Sequence, residues 1–135
     1  MRTAAISGSV IALASHVAFA DVVRHATVPE PLWGKWATSS ETCDKADNTV
    51  IVLSAKSYVS SKATCTVEWL SETAGAHGPL YSAHLRCSDT PNGGQATIMN
   101  IVFLPQDANR LSIGADFSKL KIYQRCSAGA PAVAR

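Results

Sequence analysis

The side chains that could do chemistry are few and scattered. Beyond the first 20 residues the histidines are His25, His77 and His84. His77 falls in a Gly-rich turn and His25 in a polar leader. His84 is the one that an expected strand pairing sets beside a carboxylate, that of Glu68. A His–carboxylate pair can orient a general base, but across two strands it is more commonly a solvent-face pair, and that reading is preferred. The serines show no G-x-S-x-G elbow. Asp44, Asp47 and Asn48 lack the spacing and terminal Glu of an EF-hand loop. Gly93-Gly94 reads as a hairpin turn, since no helix follows to make it a phosphate loop. Lys119, Lys121 and Arg125 share one strand face, as edge-strand protection or as a patch for an anionic ligand. His84, Glu68, Lys119 and Lys121 are therefore candidate binding residues. No catalytic set, metal site or cofactor is expected.

The cysteines Cys43, Cys65, Cys87 and Cys126 are separated by 22, 22 and 39 residues. Zinc sites use close pairs such as C-x2-C, and no C-x-x-C redox motif is present. An even number in an exported chain reads as two structural disulfides.

Export is the expectation from the first 20 of the 135 residues. Arg2 precedes an apolar stretch that contains Val10-Ile11-Ala12-Leu13-Ala14, and Ala18-Phe19-Ala20 is a small-x-small cleavage site. The rest is one domain, expected in the periplasm or outside the cell. Without Arg2 it carries eleven basic and ten acidic residues, a balance that argues against a nucleic-acid partner. No later segment approaches the ~18 apolar residues of a membrane span. Residues 21–31 read as an extended, exposed leader ending in Pro29-Glu30-Pro31, residues 32–126 as the folded domain, and residues 127–135 as a flexible, small-residue tail.

The elements that must position these groups are strands. They are expected at Gly34–Thr38, Thr49–Leu53 (continued by Ser57–Ser60), Thr64–Glu72, Leu80–Cys87, Ala96–Leu104, Arg110–Ala115 and Leu120–Cys126, with Gly, Pro and Asn clusters between them. Cys65, Val67, Trp69 and Ser71 alternate with Thr64, Thr66, Glu68 and Glu72, and Leu70 is the exception. Ala96–Leu104 is apolar on both faces, as in a central strand. Helical periodicity is broken throughout. The fold class is all-β, a small antiparallel barrel or sandwich of about seven to eight strands with two disulfides.

Thr64–Glu72 and Leu80–Cys87 propose a register. With Cys65 opposite Cys87, Val67 faces Leu85, Trp69 faces Ala83 and Ser71 faces Tyr81. The other face sets Thr66 against Arg86 and Glu68 against His84. This favours Cys65–Cys87 and leaves Cys43–Cys126, which ties the first strand region to the last, as closing a barrel requires.

Leu32-Trp33-Gly34-Lys35-Trp36 carries a G-x-W at the start of the first expected strand. It resembles the opening of the calycin barrels, namely lipocalins, avidins and the small bacterial inhibitors of secreted metalloproteinases. The whole arrangement, closing on Tyr123-Gln124-Arg125-Cys126, also resembles small exported bacterial proteins of no known function. The calycin resemblance implies that Gly34 starts the strand, that Trp36 plugs one end of a barrel, and that Arg125 covers Trp36. The functional expectation is an exported, non-catalytic module that binds a small apolar ligand or an exported protein. The rival readings are an inhibitor of an extracellular or periplasmic hydrolase whose leader enters the enzyme cleft, and an enzyme.

Overall fold

The computed structural model describes residue 11 and residues 22–44, 49–88 and 95–126. The rest of the expected signal peptide, Asp47-Asn48, the Gly93-Gly94 turn and the 127–135 tail lie outside the described residues. Among the described residues there are nine strands: β1 Val22–His25, β2 Gly34–Ala37, β3 Val50–Leu53, β4 Ser57–Ser60, β5 Thr64–Gly75, β6 Gly78–Ser88, β7 Thr97–Asp107, β8 Arg110–Gly114 and β9 Lys121–Arg125.

From β2 to β9 each strand pairs antiparallel with the next, and β9 returns to β2 through Trp36 opposite Arg125 and Ala37 opposite Gln124. The result is a closed eight-strand antiparallel barrel with one extra strand, β1. Closure depends on more than those two residue pairs. The Cys126 N–H donates to Lys35 O at 2.8 Å, and Cys126 is disulfide-bonded to Cys43. The second disulfide joins Cys65 and Cys87, directly opposite on β5 and β6.

The alternation that marked the strands also fills the barrel. Ile51 and Leu53 of the β-branched β3 run face inward and are buried, while Val52 between them lies on the outside and is exposed. Trp36, Phe103, Leu53, Leu70, Leu85, Leu111, Val28 and Val67 are each less than 2% exposed and form one core. β7 pairs on both sides, and Ile101, Val102 and Phe103 are buried, whereas Ile98 and Met99 are exposed, so only the second half of the two-sided apolar run is buried on both faces.

Four sequence expectations are corrected. The Cys65–Cys87 register holds only as far as Val67 opposite Leu85. There a β-bulge leaves Glu68 unpaired, so Trp69 faces His84, Leu70 faces Ala83 and Glu72 faces Tyr81. One extra residue on one strand reverses the facing of everything beyond it. Leu70, the exception to the alternation, is fully buried for this reason, and Trp69 turns to the outer face.

The leader is extended and Val22–Arg24 are exposed, as expected, but it is not exposed throughout. β1 pairs with Leu70–Thr73 of β5, and Val28 is 1% exposed, with its N–H donating to Ala55 O at 2.8 Å. β7 runs through Pro105 to Asp107, where a turn was expected, because β8 pairs with it that far. Finally, β9 is not an edge, since it has neighbours on both sides.

Candidate functional site

One end of the barrel is shaped by prolines. The β6–β7 pairing runs from Cys87 opposite Thr97 to Tyr81 opposite Phe103. Two residues further in that register, Pro79 comes level with Pro105. Neither has an N–H to donate, so the ladder ends. Beyond that point the β5–β6 ribbon continues to Gly75 opposite Gly78, and the β7–β8 ribbon to Asp107 opposite Arg110. A half-open crevice of about 290 Å³ lies between the two ribbons. Leu32, Trp36 and Leu111 form its buried floor. Pro79 and Tyr81 line it from β6, and Pro105, Asp107, Ala108 and Arg110 from the β7–β8 ribbon. The lining is mostly apolar.

The floor is held from below by a short 3-10 turn at Glu30–Leu32. Pro29 and Pro31 suit it, because the first N–H groups of such a turn have no partner to lose. Leu32 N–H donates to Pro29 O and Trp33 N–H to Glu30 O, both at 3.0 Å. The Trp33 indole donates to Val28 O at 2.7 Å and the Trp36 indole to Leu32 O at 3.0 Å.

Arg125 fastens this turn to the barrel. Its Nη1 donates to Trp33 O at 2.7 Å, its Nη2 to Pro31 O at 2.6 Å and its Nε to Ala108 O at 3.0 Å. The guanidinium carbon lies 4.3 Å from the centroid of the Trp36 ring. Partial burial pulls the Arg125 pKa below its ordinary value, and three carbonyl acceptors compensate the charge. Gly34 makes room for it. Its φ is +129°, and a Cβ there would lie 3.1 Å from Arg125 Nη1. Gly34, Trp36 and Arg125 thus form one unit.

Three titratable groups from different strands meet beside the crevice. His25 Nε2 is 2.9 Å from Glu72 Oε1. Glu72 stands opposite Tyr81, whose ring centroid is 6.3 Å from that of His25. Burial pushes the Tyr81 phenol above its ordinary pKa, and the Glu72 charge and hydrogen bond push it further. At the rim, Arg110 Nε donates to Asp107 Oδ2 at 2.8 Å. The backbone N–H of Asn109, followed by Arg110, holds the Asp107 carboxyl below its ordinary value.

The candidates read from the sequence are not brought together. Glu68 accepts from Arg86 Nε at 2.7 Å and does not meet His84. His84 stacks on Trp69 at 5.0 Å and 9°, with its Nδ1 3.2 Å from Asn100 Oδ1. Arg24 covers Trp69, its guanidinium carbon 4.0 Å from the ring centroid. This outer-face ladder fills the face of the indole that a ligand ring would use. Lys119 lies in a 3-10 turn, 3.8 Å from Asp116 Oδ2. Lys121 and Arg125 stand at opposite ends of β9. Tyr81, His25 and Glu72 were missed, because His25 reaches Glu72 only through a β1–β5 pairing across 47 residues, and Glu72 stands opposite Tyr81 only through the β5 bulge. The two prolines carried the signal for the crevice.

Among the described residues no group of three or more His, Cys, Asp or Glu side chains is placed to hold a metal ion. No helix among them is long and apolar enough to cross a membrane. No protein-family model, curated protein or solved structure matches the chain.

Proposed function

We propose that the protein is an exported, non-catalytic binding module that takes a small apolar group into the crevice between the β5–β6 and β7–β8 ribbons. The observation that carries this reading is an open, mostly apolar crevice of about 290 Å³ set against a filled barrel interior. Its volume is at the low end for ligand pockets and matches one ring or one branched side chain rather than a long-chain lipid. The occupant is a free small molecule or the side chain of an exported partner. Two disulfides are compatible with an oxidising compartment. The rival reading, an inhibitor that inserts its leader, would require Val22–His25 to leave their pairing with β5.

The test is an amide-shift titration of the mature chain with toluene. Shifts should cluster at Tyr81, Ala108 and Leu111. Ala108→Trp, at an exposed position on the crevice wall, should abolish them without unfolding the protein. If toluene shifts no crevice amide, the proposal falls.

A further inference from the structure

We propose that β1 is a working part of the binding site: it positions the Tyr81 side of the crevice, so that docking of β1 and occupancy of the crevice strengthen one another. This goes beyond the binding reading above and rests on it.

The registers of the strands around the crevice carry the argument. The β6–β7 ladder ends at Tyr81 opposite Phe103, and from there the β5–β6 ribbon runs on without β7. On its other edge β5 is paired with β4 only from Thr64 to Thr66. β1 takes up that edge at Leu70–Thr73, the residues that face Ala83, Ser82, Tyr81 and Leu80 of β6. The third strand is thus laid across the point where β6 parts from β7. A two-stranded ribbon alone is marginally stable in water, and a third strand steadies it.

Two neighbouring side chains fasten β1, one on each face of the sheet. On the outer face the Arg24 guanidinium carbon lies 4.0 Å from the centroid of the Trp69 ring. On the inner face His25 Nε2 is 2.9 Å from Glu72 Oε1, and the His25 ring lies 6.3 Å, centroid to centroid, from that of Tyr81, within the range of an aromatic pair. Tyr81 lines the crevice, so it is where β1 and the crevice meet. β1 has one neighbouring strand, and Val22, Val23 and Arg24 are exposed. Such a segment opens locally at a fraction of the cost of global unfolding. Opening takes the His25 ring away from Tyr81 and leaves the overhanging ribbon with two strands. A ligand held between the ribbons therefore binds the docked form more tightly, and linkage makes the effect mutual.

The experiment is hydrogen exchange of the β1 amides in the mature, disulfide-bonded chain, with and without toluene at one pH. Exchange of the protected β1 amides should slow by about fivefold or more, the low end of couplings between sites, and should level off as the crevice saturates. The converse uses Arg24→Ser combined with His25→Ser, which removes both fastenings and leaves the buried Val28 in place. The β1 amides of this variant should lose their protection, and its affinity for toluene should fall by the factor at which the slowing levelled off. Toluene that shifts the crevice amides but leaves β1 exchange unchanged would overturn the coupling and leave the crevice standing. So would a folded variant with unprotected β1 amides that binds toluene as tightly as the unaltered protein. If the variant does not fold, exchange in the unaltered chain decides alone. If toluene shifts no crevice amide, the coupling and the binding reading fall together.

Discussion

Arg125 is the residue on which most of the barrel end depends. It stacks on Trp36 and donates to three backbone carbonyls from two separate segments. A lysine keeps the charge but not the planar fork that reaches all three. Arg125→Lys should therefore cost about 2–3 kcal/mol, the worth of one or two lost charge-assisted hydrogen bonds, read by urea unfolding. Gly34→Ala should cost a similar amount, because an alanine at φ +129° is strained and its methyl would crowd the guanidinium. If Gly34→Ala unfolds at the same urea concentration as the native protein, the close approach of Gly34 and Arg125 is not real. This unit was legible through the resemblance carried by G-x-W, and not through spacing, because Trp36 and Arg125 lie at the two ends of the barrel's connectivity. His25, by contrast, reads from the sequence alone as part of a leader. Its partner Glu72 is identifiable only once β1 is known to pair with β5.

At the scale of elements, β5 shows how a local break in pattern records a three-dimensional feature. Glu68 is the extra residue of the bulge, with Val67 facing inward, Trp69 outward and Leu70 inward around it. Removing Glu68 would leave Val67, Trp69 and Leu70 in regular alternation and the Cys65–Cys87 pair in place. The variant lacking Glu68 should thus fold with both disulfides and lose about 1 kcal/mol through the exposed Glu68–Arg86 pair. Loss of the native amide pattern on β6 would show that the bulge is required for curvature. Removing Glu72 should be far worse, since every residue from Thr73 to Gly75 would change face. Leu70 announced the bulge in the sequence, but a single exception does not say where the extra residue sits. Pro79 and Pro105 were each legible as local punctuation. Their joint effect, ending one ladder and opening the crevice, appears only when the β6–β7 register brings them level.

At the scale of the whole molecule, stability depends on closure and on buried phenols. The Cys43–Cys126 bridge closes a loop of 83 residues and Cys65–Cys87 one of 22. Loop entropy gives about 4.5 and about 3 kcal/mol respectively. Replacing the first pair by serine should destabilise more than replacing the second, as read in guanidinium unfolding. The reverse order would mean that the strand pairing of β2 and β9 closes the barrel without help. The three tyrosines, Tyr58, Tyr81 and Tyr123, are all raised above pKa 10 by burial. Tyr58 is pushed up to about 12, with Tyr123 adding to the effect. A phenol whose folded pKa is raised contributes stability in full below pH 10, its unfolded value, and loses it as pH climbs toward 12. Stability should therefore fall across pH 10–12 by about 2–3 kcal/mol from Tyr58 alone, and Tyr58→Phe should flatten that slope. The all-β class and the two disulfide pairings were readable because each follows from local alternation or from cysteine placement. The extra strand β1 was not, because its Val22-Val23-Arg24-His25 sequence is exposed on most of its surface and gains its conformation from β5. The central claim is that binding belongs to the crevice and not to the barrel interior or the outer-face ladder. The most direct measurement is the set of intermolecular nuclear Overhauser effects from bound toluene. Contacts to the side chains of Pro79, Tyr81, Pro105 and Leu111 are predicted, whereas contacts to Trp69 and His84, or none at all, would contradict it.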